Sequence, residues 1–121
     1  MSITKIDWVA VKTADTSLGA AKAFGLALGL SVLVDSPTQL MLQTPDGGVV
    51  EFCSSAYEGP EHLFARQNTV FGFGSIDIES DGSKLAAAGF EPVTDITDGG
   101  PVLFQHFLGP DGRNYGLIQH K

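Results

Sequence analysis

The residue best placed to do chemistry in this chain is a carboxylate that lacks its counterpart. A Pro-Asp-Gly turn occurs twice, as Pro45-Asp46-Gly47 and Pro110-Asp111-Gly112. Each follows an apolar run, Leu40-Met41-Leu42 or Val102-Leu103-Phe104, and each precedes a strand-like run. Aligned on the turn, Glu51 falls where the second copy has Gly116. A carboxylate on such a strand can ligate a divalent metal, act as a general base or hold a cation.

The other groups able to take part are few. His62, His106 and His120 are the histidines, and Cys53 is the single cysteine. His106 aligns with Met41 between the two hairpins, and His120 lies two strand steps beyond Gly116, on the same face. A rearranged metal site of Glu51, His106 and His120 is one reading. Surface or hydrogen-bonded structural histidines are the plainer one. Cys53 ends a predicted strand with no base beside it in sequence, and it reads as a structural thiol.

The elements that must position these groups repeat. Ile6 to Lys12 reads as a strand, and Asp15, Thr16 and Ser17 offer caps for a helix carrying the stripe Leu18, Ala21, Phe24, Gly25 and Leu28. Ser31 to Val34 is a short strand; Gln39 to Thr44 and Val49 to Cys53 form a hairpin. Ser54 to Thr69 is a connector with a short helix over Glu61 to Arg66. The order then recurs. Val70 to Ile78 is a strand, and Ser80, Asp81 or Ser83 caps a helix ended by Gly89. Phe90 to Thr94 is a strand, Asp95 to Gly100 a polar loop at a cavity mouth, and Val102 to Leu108 with Asn114 to Gln119 the second hairpin.

Composition bounds the partners. The chain has 121 residues, 43% of them hydrophobic and 17% charged, which fits one globular domain. Its formal net charge is −7, and its seven Lys and Arg are scattered. Nucleic acid and anionic membrane surfaces both need clustered positive charge, so neither is an expected partner. A lone cysteine and an N-terminus without a basic-then-apolar segment point to a cytoplasmic protein. Gly72-Phe73-Gly74 opens no helix and is no dinucleotide fingerprint, and Asp95 to Gly100 is too short for a calcium loop.

In order and spacing the chain resembles the vicinal oxygen chelate superfamily, which includes glyoxalase I, bleomycin-resistance proteins and extradiol dioxygenases. The resemblance spans nearly the whole chain. It is carried by Ile6-Asp7-Trp8-Val9-Ala10-Val11, Pro45-Asp46-Gly47 through Val50-Glu51-Phe52, Gly72-Phe73, Leu85 to Phe90, and Pro110-Asp111-Gly112 through Tyr115-Gly116-Leu117-Ile118. It implies an α+β fold of two βαβββ modules forming a curved mixed sheet around a cavity, in a homodimer. Module one would cover residues about 1–55, the connector about 56–69 and module two about 70–121.

The resemblance also implies four metal-ligand positions. They fall on Trp8, Glu51, Val70 and Gly116, and of these only Glu51 is a competent ligand. A one-residue shift of register would bring in Asp7 or Phe71, which does not restore the set. The expectation is therefore no metal and no other cofactor.

Strand alternation puts Trp8, Ala10 and Lys12 on the face of Glu51, and Gly72, Gly74, Gly116 and Ile118 on the corresponding face of the second module, with His106. The implied function is metal-independent binding of a small molecule, cationic or aromatic, beside Trp8 and Glu51, like the bleomycin-resistance type. Its alternative is a lyase or isomerase that uses an atypical metal site or Glu51 as general base. A third reading has Trp8 filling the space and leaving a closed core. An unpaired buried Glu51 would have a raised pKa from desolvation, unless Lys12 pairs with it.

Overall fold

The computed structural model describes residues 2–14 and 17–121. Ten elements follow one another as two βαβββ repeats. The first is β1 (Ile3–Lys12), α1 (Leu18–Ala27), β2 (Ser31–Asp35), β3 (Gln39–Gln43) and β4 (Val49–Cys53). The second is β5 (Thr69–Ser75), α2 (Ile78–Ala87), β6 (Thr97–Asp98), β7 (Val102–Leu108) and β8 (Asn114–His120). Two compact units share these elements. One comprises Trp8–Val70; the other joins the chain before Trp8 to Phe71–Lys121.

In the Trp8–Val70 unit the strand order is β2-β3-β4-β1. β4 runs parallel to β1, with Ala10 opposite Glu51, and antiparallel to β3, with Met41 opposite Glu51. β2 pairs with β3 around an irregularity between Val32 and Val34. Ala10, Leu63 and Val70 form a buried cluster, with Trp8, Tyr57 and Phe64 packed on it.

Helix α1 docks by its backbone rather than by a large apolar stripe. Gly25 is its buried residue, and a Cβ there would come within 2.5 Å of Leu42 Cδ1. Phe24 and Leu28, which the stripe places inward, are exposed. So close an approach at Gly25 turns the bulky neighbours aside. Ser17 is the N-cap residue but makes no side-chain cap hydrogen bond, and Asp15 and Thr16 lie outside the described residues. The connector forms turns, with Leu63 N–H bonded to Pro60 C=O, in place of the expected helix over Glu61 to Arg66. Six residues are too few to hold a helix without a packed face, and of Glu61 to Arg66 only Leu63 is buried.

In the other unit the order is β1-β5-β8-β7-β6, with the first half of β1 beside β5. β5 is parallel to β8, with Gly72 opposite Gly116, and β8 is antiparallel to β7, with Gly116 opposite His106. The core is Ile78, Phe107 and Leu117, with Phe73, Leu85 and Leu103 against it. α2 begins earlier than the expected caps. Asp77 is its N-cap, accepting from Ser80 N–H at 3.1 Å, which converts residues 76–78 from strand to helix entry. Gly89, at φ +93°, ends the helix as expected.

The strand expected at Phe90 to Thr94 shrinks to a single bridge from Pro92 to Phe107. Pairing shifts downstream to Thr97 and Asp98, opposite Phe104 and Leu103, inside the segment read as a loop. Pro92 has no N–H to give a continuous ladder, so the chain forms its strand beyond it.

Candidate functional site

Glu51 sits on β4 with 4% of its surface exposed. Its carboxylate is surrounded by donors from three strands and the connector. Trp8 Nε1–H, on β1, donates to Oε1 at 2.9 Å, and Gln39 Nε2–H, on β3, donates to Oε2 at 2.7 Å. The Cys53 thiol donates to Oε2 at 3.4 Å, and the Tyr57 hydroxyl bonds the same carboxylate. The registry makes this possible. Ala10, whose side chain is a methyl, lies opposite Glu51 on β1, so the indole of Trp8 reaches across unobstructed.

All four partners are neutral. A buried carboxylate is costly unless hydrogen-bonded or paired, and among the described residues hydrogen bonds from these four meet that cost. The charge acts back on its donors. Burial, and then Glu51, push the Cys53 thiol and the Tyr57 phenol well above their ordinary ranges. The thiol is therefore inert at neutral pH, in keeping with the structural reading of Cys53.

Lys12, considered as a partner for Glu51, is exposed, and the bonds to the carboxylate come from Trp8, Gln39, Cys53 and Tyr57 instead. Its position at the end of β1, opposite Cys53 rather than Glu51, puts it past the carboxylate. Gln39 and Tyr57 went unread in the sequence. Alternation does place Gln39 on the Glu51 face, two residues before Met41. Tyr57 lies in an irregular connector where no periodicity marks it.

The remaining candidate residues gather in the other unit. Gly72 and Gly116 face each other across β5 and β8, Gly74 pairs with Ile118, and His106 pairs with Gly116. Gly74 is required to be small: a Cβ there would meet Thr4 Oγ1 at 2.5 Å and Asp7 Cβ at 3.2 Å. His106 is buried with its ring 5.3 Å from that of Phe104, and its backbone N–H donates to Thr94 Oγ1. His120 Nε2 lies 2.5 Å from Oδ2 of the buried Asp7. His62, by contrast, lies in the connector of the Trp8–Val70 unit, and partial burial holds it below its ordinary pKa.

The four positions at which the resemblance implies metal ligands do not fit a metal. Val70 and Gly116 have no donor atom, the Trp8 indole donates rather than ligates, and both Glu51 oxygens already accept N–H bonds. Among the described residues no three His, Cys, Asp or Glu side chains group so as to hold an ion.

The fold has solved counterparts. Methylmalonyl-CoA epimerase from Mycobacterium tuberculosis superposes with a TM-score of 0.73 at 14% identity, over 98% of this chain and 89% of that one. The Mn(II)-bound glyoxalase from Novosphingobium aromaticivorans gives 0.73 at 17% identity, over 98% of this chain but only 39% of that longer protein. A glyoxalase/bleomycin resistance protein/dioxygenase superfamily member from Vibrio splendidus gives 0.57 at 19%, over 98% and 99%. No family model matches the sequence, and no curated protein matches it. The chain thus has the α+β fold of the vicinal oxygen chelate superfamily, built as two βαβββ modules. No helix among the described residues is long and apolar enough to cross a membrane.

Proposed function

We propose that the protein binds a small molecule without a metal, beside Trp8 and Glu51, and that the ligand is a cationic or hydrogen-bond-donating aromatic compound. The observation that carries this is the Glu51 cluster: a buried negative charge whose four partners are neutral, next to the half-buried rings of Trp8, Tyr57 and Phe64. Aromatic faces beside a carboxylate favour a cation, and the chain's net charge of −7 adds long-range attraction. The structural neighbours named for epimerase and glyoxalase keep a second reading in view, in which Glu51 is the general base of a lyase or isomerase. The carboxylate's about four lone-pair sites are met by four donors, so a substrate proton is taken up on this reading only by displacing one of them. The fold's resemblance also leads us to infer a homodimer, which a light-scattering mass would check.

Trp8 is the only tryptophan, so its fluorescence reports directly on this site. Aromatic amines and quaternary ammonium compounds should quench or shift it, and uncharged analogues of the same shape should do so at least about tenfold more weakly. Equal affinity for the two series would overturn the cationic reading. Turnover of an acyl thioester or hemithioacetal that is lost in Glu51→Gln would move the conclusion to the enzyme.

A further inference from the structure

The unit of Phe71–Lys121 holds a cavity that shares only Gly116 with the candidate site residues above. About 640 Å³ of space opens between α2 and the helix-facing side of β5, β7 and β8. Ligand pockets run from roughly 300 to 1,000 Å³, so the volume suits a small molecule. Its walls include Phe73, Leu85, Phe90, Phe107, Tyr115 and Leu117. Gly82 sets α2 close to the sheet at one end: a Cβ there would lie 2.7 Å from Gln105 Oε1 and 3.3 Å from Phe107 Cζ. The space opens beside the following turn of the helix, at Lys84 and Leu85, and beside Phe90 just past its end.

We propose that this cavity is a binding site for flat, uncharged aromatic molecules. Three observations select that class. The rings of Phe73 and Tyr115 form one wall, their centroids 6.5 Å apart and their planes within 21° of each other, a surface matched to a planar guest. The Tyr115 hydroxyl is engaged by Asp111 at 2.8 Å, which leaves the ring as the tyrosine's contribution. The two charged lining residues cancel. Lys84 Nζ is 3.8 Å from Asp81 Oδ1, and Asp81 Oδ2 accepts from the Ser75 hydroxyl at 2.5 Å. Nothing in the lining therefore rewards a net charge on the ligand. The inference is independent of the proposal for Trp8 and Glu51.

Pyrene, flat, uncharged, without a hydrogen-bond donor and with fluorescence sensitive to polarity, is the probe, with pyrene-1-sulfonate as its anionic counterpart. The neutral dye should bind at one site per chain and at least about tenfold more tightly than the sulfonate. Leu85→Trp fills the cavity from the helix and should reduce neutral-dye affinity at least about tenfold with the far-ultraviolet circular dichroism unchanged. Leu108→Glu, at a lining residue that is 37% exposed and therefore tolerant, should do the same by placing a charge at the rim. Binding that survives both cavity variants, or a preference for the sulfonate, would overturn the proposal. So would loss of dye binding as protein concentration rises, because it would make the groove a surface for a second copy of the chain.

Discussion

At the scale of single residues, the carboxylate of Glu51 is a junction. Trp8, Gln39, Cys53 and Tyr57 all donate to it, so it ties β1, β3 and the connector to β4. Glu51→Gln removes the charge and turns one acceptor into a donor that faces other donors. We expect a loss of about 1–3 kcal/mol in urea unfolding, the magnitude of an unsatisfied buried polar group. Affinity for a cationic ligand should fall with it, and unchanged affinity would remove Glu51 from the site. The same junction predicts an alkaline limb. Cys53 and Tyr57 have folded pKa values raised above their unfolded ones, so the unfolded chain releases its protons first. Their contribution is complete below the ordinary thiol pKa of 9.0 and declines as pH climbs past it. Cys53→Ala should delay that decline until the phenol's ordinary value of 10.0 is approached. A stability profile flat through this window would show that neither group is linked to folding.

At the scale of elements, the two helices are anchored differently although they occupy equivalent places in the repeat. α2 has a side-chain cap at Asp77 and a buried polar contact from Asp81 to Ser75. α1 has neither cap nor large buried side chain and relies on the approach of Gly25 to Leu42. Asp77→Ala should therefore cost about 1 kcal/mol, and Ser17→Ala no more than about 0.5 kcal/mol either way. Gly25→Val should cost at least about 1–3 kcal/mol by forcing α1 away from Leu42. Chemical denaturation of the three variants side by side checks the contrast. Equal losses at Asp77 and Ser17 would contradict the capping assignment. The hairpins around Pro45-Asp46-Gly47 and Pro110-Asp111-Gly112 were legible because turn chemistry is local. Gly47 and Gly112 take positive φ of 94° and 75°, as the turns require. The strand after α2 was misplaced because Pro92 permits a bridge but no ladder, and that balance is struck against β7 rather than within the segment.

At the scale of the whole molecule, the chain shares its fold with three solved proteins to which it is 14%, 17% and 19% identical. The metal chemistry implied by the resemblance is not supported at its own positions, where Trp8, Val70 and Gly116 stand. A net charge of −7 at the level of the molecule should make association with a cationic ligand fall as salt rises. Titrations at low and at physiological ionic strength would show it, and an affinity independent of salt would confine any electrostatic role to the immediate contacts. Uncharged dye binding to the cavity beside α2 should not respond to salt at all.

The sequence by itself determined the doubled βαβββ order, the two hairpins, the face shared by Trp8 and Glu51, and the absence of ligating atoms at three of four positions. These rest on local chemistry: turn residues, alternation along a strand, and what a side chain can donate. Tertiary structure alone decided that Gln39 and Tyr57 would complete the shell around Glu51, that Gly25 would dock α1 with Phe24 turned outward, and that a cavity would open beside α2. Each of these depends on distances between segments far apart in the chain, and one-dimensional periodicity carries no information about such distances.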